Sequence, residues 1–395
     1  MILPPLWLLV VISAMGPIVM NGVLPANSQI TRDLLTTYGM AQMVLTVYLL
    51  ATLCAQIVLG NWADRYGRRP IMIGSLLVFA LGGIICALAP SIEMLLLGRF
   101  IQGLGSSVCI FLPRTIIRDV FPRDRAASVI GYMTTAMMVA PLFGPAVGGW
   151  ITDVSSWRLL YAVLGILGIL LALLCVFFQN ETLQQTEVRP VGSRFVDGAV
   201  ILLRSRAFRA YLAVQCGSVG IYYAYLGGAP YVLMELYGLS AFEFGRWFAM
   251  IAIGYLLGNL VAGRFSQRFG GNFMISLSIP PLVTGIVLFW LMSRWQHPFA
   301  MFFPMQLVAF SNGICLPNVM SATMSVRPDL AGSASGLAGT FQTAAGIIMT
   351  IWLSAWLADT SLPLLVVMTG SLLLAVTGYV QLRNPLNRIP DDTGK

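Results

Sequence analysis

With 395 residues, 58% of them hydrophobic and only 10% charged, the chain falls far below the charge content of a soluble domain, which is roughly 25%; a soluble protein is excluded. The formal net charge of +8 comes from arginine, Lys395 being the one lysine, and these arginines flank apolar stretches in short loops without forming a basic domain, which excludes nucleic acid as the partner. Cys54, Cys86, Cys109, Cys175, Cys216 and Cys315 fall inside apolar stretches with no CxxC pairing, and the single histidine, His297, stands near the end of one, so neither disulfides, a metal centre nor any other cofactor is expected.

About 20 apolar residues cross a bilayer as a helix. Breaking the chain at charged or Gly/Pro-rich points leaves twelve such spans, at 5–27, 40–61, 71–90, 93–117, 126–151, 157–179, 208–234, 241–263, 272–292, 299–321, 331–357 and 361–382. The stretch MILPPLWLLVVISAMGPIVM has no basic segment ahead of its apolar run, which continues past SAMG. It therefore reads as the first span and not as a cleaved signal. That span carries NGVLPA at 21–26.

The second span holds Tyr48 and runs into GNWADRYGRRP, where Gly60, Asp64, Arg65, Gly67, Arg68 and Arg69 set four charges between two runs of hydrocarbon. The glycines would permit close helix approach and a tight turn. Asp64, near a helix end, can face arginines or the positive N-terminus of another helix. A loop that only fixed orientation would need arginine alone.

The fourth span contains Arg99, about 10 Å along the helix from Ile92 at 1.5 Å per residue, with Gln102 and Gly103 on its face. An intramembrane arginine is costly and faces a polar cavity or a partner; the alternative is snorkelling to the outer interface. In the fifth span, APLFGPAVGG at 140–149 places Gly144, Pro145, Gly148 and Gly149 as a kinking and close-packing device.

Residues 180–207 form the longest polar stretch and read as a linker. The predicted organisation is a bundle over 1–179, the linker, a second bundle over 208–382 and a tail over 383–395. In the second bundle, Tyr222, Tyr223 and Tyr225 of the seventh span, Asn312 and Asn318 of the tenth, and Phe341 and Gln342 of the eleventh offer aromatic and amide contacts to a substrate. Such side chains serve equally as core or lipid-facing residues.

Two repeats relate the halves. GNWADRYG at 60–67 has a counterpart in GRFSQRFG at 263–270, and AASVIG at 126–131 in AGSASG at 331–336, each pair at the same topological place. With the N-terminus in the cytoplasm, Arg65, Arg68, Arg69, Arg118, Arg123, Arg125, Arg264, Arg268, Arg327 and the linker arginines share that side, against Arg32, Arg158, Arg246 and Arg294 on the other. The positive-inside rule thus places both termini and the linker in the cytoplasm. Parallel repeats suggest a two-lobed transporter with a central cavity.

Three of these segments, GNWADRYGRRP, LLLGRFIQGLG (95–105) and APLFGPAVGG, resemble the motifs of the major facilitator superfamily, and within it the twelve-helix drug:proton antiporters. GGAPYVLMELYGLSAFEFG at 227–245 resembles the bicyclomycin-resistance subgroup of bacterial multidrug exporters. The resemblance implies an all-α polytopic membrane protein with twelve transmembrane helices in two pseudo-symmetric six-helix bundles. It implies a monomeric transporter of the bacterial inner membrane that acts on small molecules, with protons as the candidate coupling ion. It also implies that Asp64 meets the eleventh helix near Ala331 and that Asp119 pairs with Arg68 or Arg69, a latch on the cytoplasmic side.

One departure matters. The subgroup's helix-one motif begins with aspartate, and here that position is Asn21, which cannot titrate. None of the 15 acids lies at the middle of a span; Asp119, Glu235 and Glu243 sit near ends. An anion or metabolite carrier, with Arg99 gripping a carboxylate, is therefore the alternative to a proton-driven exporter. A receptor built on the same fold would lack a soluble sensor domain. An enzyme has no nucleotide loop, metal cluster or nucleophile constellation to rest on.

Overall fold

Four of the long helices begin where the sequence supplies a hydroxyl at the boundary. Thr37 accepts from the Met40 N–H at the head of a helix over Tyr38–Tyr66, and Ser91 accepts from Met94 at the head of Ile92–Val120. Ser156 and Ser205 do the same for Trp157–Phe178 and Arg206–Pro230. Each hydroxyl satisfies one of the orphan donors of a helix start.

The computed structural model describes residues 5–122, 125, 129–130, 133, 137, 139–183, 192–356 and 360–383. Most of the AASVIG repeat, linker residues 184–191 and the tail from 384 lie outside the described residues. The helices are α1 (Leu6–Gly22), α2 (Asn27–Asp33), α3 (Tyr38–Tyr66), α4 (Arg68–Ala87), α5 (Ile92–Val120), α6 (Val139–Val154) and α7 (Trp157–Phe178). They continue as α8 (Gly192–Arg204), α9 (Arg206–Pro230), α10 (Ala241–Phe269), α11 (Gly271–Met292), α12 (Pro298–Ser325), α13 (Ala331–Trp356) and α14 (Leu362–Arg383).

Among the described residues, ten helical segments are long and apolar enough to cross a membrane, α1 and α2 counting as one. The fifth and seventh predicted spans correspond to α6, which follows the incompletely described stretch, and to α9, whose glycines, tyrosines and Gln215 dilute its hydropathy. Large aliphatic side chains such as Leu81, Ile166 and Leu173 are exposed on the helix surfaces, as a hydrocarbon solvent permits and water does not.

The chain divides into two compact units. The first is Met1–Arg189 with Leu239–Ala249, and the second is Pro190–Gly238 with Met250–Lys395. In the first, α4 packs on α5 and α7, and α1 on α6; in the second, α11 packs on α12 and α14, and α9 on α13. Third-on-fourth and first-on-fifth pairings thus recur in each half. The repeated glycines mark the same turn: Gly67 has φ +105° before α4 and Gly270 has φ +80° before α11, a region that only glycine enters without strain.

Two boundaries differ from the sequence reading. The start of the predicted eighth span, Leu239–Ala249, belongs to the first unit. The predicted linker is not wholly irregular, since α8 occupies 192–204 in the second unit. Its Leu202 is fully buried against Phe208 of α9 and Ala334, Leu337 and Ala338 of α13. Charges at both ends of this segment mask an apolar face short enough to pass as polar linker. Leu202→Ala is expected to cost about 2 kcal/mol or more through the cavity it leaves, read as a lower melting temperature of the purified protein; an unchanged melting curve would show that α8 is not docked.

Candidate functional site

Helix α4 starts without a side-chain cap, because Gly67 precedes it, so its first N–H groups need an acceptor from elsewhere. Glu181, three residues beyond the end of α7, supplies one. Arg68 N–H donates to Glu181 Oε1 at 2.9 Å and Arg69 N–H to Oε2 at 3.1 Å, while the N–H groups of Thr182 and Leu183 also donate to Oε1. A Cβ at Gly67 would collide with this carboxylate, so the glycine is required for the approach as well as for its φ.

The Arg68 side chain is then drawn between two acids. Its Nε donates to Asp119 Oδ2 at 3.0 Å, and its Nη1 donates to Asp64 Oδ1. Arg68 is 7% exposed, whereas the Asp64 side chain is 51% exposed. Arg69 Nη2 donates to the Val176 carbonyl at 2.6 Å, and Arg65 lies over the Tyr66 ring. These contacts join α3, α4, α5 and the end of α7. Gly60 stands apart: no atom lies within 4 Å of where its Cβ would be, so the close helix approach expected there is not what the glycine serves in this structure.

A second cluster surrounds Arg99, which is 1% exposed and so does not snorkel. Its Nε donates to the Val44 carbonyl at 3.1 Å and its Nη1 to Gln102 Oε1 at 2.7 Å. The guanidinium lies 4.3 Å from the Tyr48 ring centroid and 5.6 Å from that of Tyr161. A carbonyl, an amide oxygen and two aromatic faces thus receive the charge, and no ion pair among the described residues includes it. Gly103 admits the Tyr48 carbonyl at 2.6 Å from its would-be Cβ, which lets α3 approach α5 closely enough for these contacts.

Asn21 is buried and its Nδ2 donates to the Pro17 carbonyl at 2.9 Å, within α1. The helix-five motif meets α1 beside it. Gly148 is pressed onto the backbone of Gly22, and a Cβ at Gly144 would lie 3.6 Å from the Gly22 nitrogen. Gly149 abuts the backbone of Ala241 and Pro145 that of Gly245, both in the same unit. Asp153, at the end of α6, accepts from the N–H groups of Ala241 and Phe242.

In the second unit, Gln342 accepts from Gln215 Nε2 at 2.7 Å and Asn312 Nδ2 donates to the Ser218 carbonyl at 3.2 Å. Asn318 donates to Ile314 of its own helix, Tyr222 packs edge-on to Tyr223, and Phe341 is exposed. Tyr225 is fully buried between Phe289 and Phe302. The Gln215–Gln342 and Asn312–Ser218 bonds join α9 to α13 and to α12. Glu181, Tyr161 and Gln215 were not singled out from sequence; the signal for Glu181 was the uncapped start of α4, which demands an anion.

Two repeated helical units, carrying polar clusters inside apolar helices and an arginine–carboxylate cluster at a helix turn, define a secondary membrane transporter. The family model for the Major Facilitator Superfamily matches residues 6–350, and the chain belongs to that superfamily, whose members are transporters and not enzymes. It is 26% identical over 375 residues to a bicyclomycin resistance protein homolog of Haemophilus influenzae and 27% identical over 382 residues to multidrug resistance protein D of Escherichia coli, with 93% of each chain covered in both. The crystal structure of a point mutant of the nucleoside transporter NupG shares the fold, with a TM-score of 0.76 at 13% identity over 96% of this chain and 100% of that one.

Burial raises the Glu181 pKa, but four backbone N–H donors outweigh it, and the carboxyl titrates below its ordinary value. A depressed folded pKa means that its contribution is complete above the unfolded value, about 4.3, and is lost as pH falls through the folded one. Glu181→Gln is therefore expected to lower the melting temperature near neutral pH, by a cap's worth of about 1 kcal/mol, and to flatten the acid-side decline expected of the native protein. Parallel pH profiles for the two proteins would contradict the capping role.

Proposed function

We propose that the protein exports amphipathic small molecules, antibiotics among them, across the bacterial inner membrane by alternating access, driven by the proton gradient. The observation that carries this reading is the similarity along 93% of both chains to proteins named for bicyclomycin and multidrug resistance. The protein acts as a monomer, with its termini and linker in the cytoplasm as the arginine distribution requires.

The Arg68 cluster suits a latch. Asp119 holds Arg68 in the protein interior, so the half-exposed Asp64 is the member of the cluster that changes partner when the latch opens. Coupling is the open chemical demand, because Asn21 carries no proton. A carboxylate near a helix end, Glu235 or Asp119, takes that role, or the charge of the substrate itself does. An anion carrier built on Arg99 has less support, since the Arg99 Nε and Nη1 already donate to Val44 and Gln102.

The test uses proteoliposomes with an imposed pH gradient, a cationic dye and an organic anion, each supplied separately. The native protein should move the dye. Asn21→Asp should make dye transport faster and more steeply dependent on the gradient, because it adds a titratable group in helix one. Unchanged transport of both probes would place position 21 outside the coupling site, and no transport of the dye by either form would remove the export reading.

A further inference from the structure

The two arginines within α5 stand in opposite situations. Arg99 donates from Nε and Nη1 to neutral oxygens and lies against two aromatic rings. Arg114, 15 residues further along and so about 22 Å away, is partly buried, and its Nε is completely buried with no hydrogen-bond partner. None of the ion pairs among the described residues includes it. Removing a guanidinium from water without a counter-ion is costly, and in a membrane span such a residue marks a functional position.

The described acids of the first unit are committed elsewhere, Glu187 lying outside the described residues. Asp64 and Asp119 hold Arg68. Asp119 is five residues from Arg114 and therefore well round the α5 surface from it. Glu181 caps α4. Asp33 accepts from Trp157 Nε1 and pairs with Arg158, and Asp153 caps the start of α10. Glu93 sits in the first turn of α5, about 32 Å from Arg114 along the helix, and Glu243 accepts from the Ser240 N–H. Asp124 lies outside the described residues.

We propose that Arg114 is the binding residue for an amphipathic organic anion, a carboxylate or phosphodiester whose apolar part lies along the span. Its fork is open to bidentate recognition, as that of Arg99 is not, and its position, six residues from the Val120 end of α5, places it toward the end that carries the Arg68 cluster. The inference rests on the transporter reading but is tested by binding alone, so failure of export and failure of this site are separate results.

The experiment uses the full chain in phosphatidylcholine nanodiscs, with 1-naphthoate as probe and the uncharged 1-naphthamide as control. Naphthoate should bind saturably and raise the melting temperature, and naphthamide should not. Arg114→Gln should weaken naphthoate binding at least tenfold, while the exposed Arg118→Gln leaves it within twofold. Without probe, Arg114→Gln should melt no lower than the native protein, since no internal partner is lost. A second arm adds phosphatidylglycerol to the disc: stabilisation that depends on Arg114 assigns the anion to a lipid headgroup, and a naphthoate response assigns it to a free solute. Lack of any Arg114-dependent response to either anion overturns the proposal. So does an Arg114→Gln protein that misfolds or melts lower, because that reveals a counter-ion within the chain.

Discussion

A helix that starts at a glycine turn leaves its N–H groups and the positive end of its dipole unsatisfied, and in this protein one carboxylate resolves that constraint for the whole first unit. Glu181 closes the start of α4 from a position 113 residues away in sequence from Arg68. Because α4 is thereby fixed, its first residue can turn its guanidinium inward to Asp119 on α5 and Asp64 on α3. Four segments of the unit meet at this point. The glycine that permits the turn also clears the space for the carboxylate.

Charge elsewhere in the spans follows a different rule. Arg99 has carbonyl, amide and aromatic partners in place of an acid, so its burial adds no titratable counter-ion near helix one. Asn21 is likewise bonded within its own helix. The interior of the first unit is therefore polar without an acid at mid-span among the described residues. The proposed coupling therefore falls to helix ends or to the substrate, whereas an aspartate at position 21 would have offered it a group at mid-span.

What could be read from the sequence was what depends on local spacing. Ten of the twelve spans reappear as helices able to cross a membrane, and Gly67 and Gly270 adopt the same rare backbone conformation at repeated turns. The pairing of Glu181 with α4 was hidden because an acid in a polar segment has no periodicity to betray its partner. Tyr161 was hidden for the same reason: a tyrosine in an apolar span looks like core until α7 brings it beside Arg99. The docked face of α8 was concealed by flanking charge, and Gly60, matched by its repeat counterpart Gly263, turned out to have open space around it in both halves.

Asp64 is the residue on which the proposed latch stands or falls, since Asp119 also pairs with Arg68 and an ion pair with a half-exposed partner contributes little to folding. The most direct measurement is gradient-driven transport of a cationic dye by Asp64→Asn in proteoliposomes, with the melting temperature recorded on the same preparation. The account predicts that transport falls at least tenfold while the melting temperature stays close to that of the native protein. Native transport rates in this variant would contradict it and leave the cluster a fold-stabilising element only.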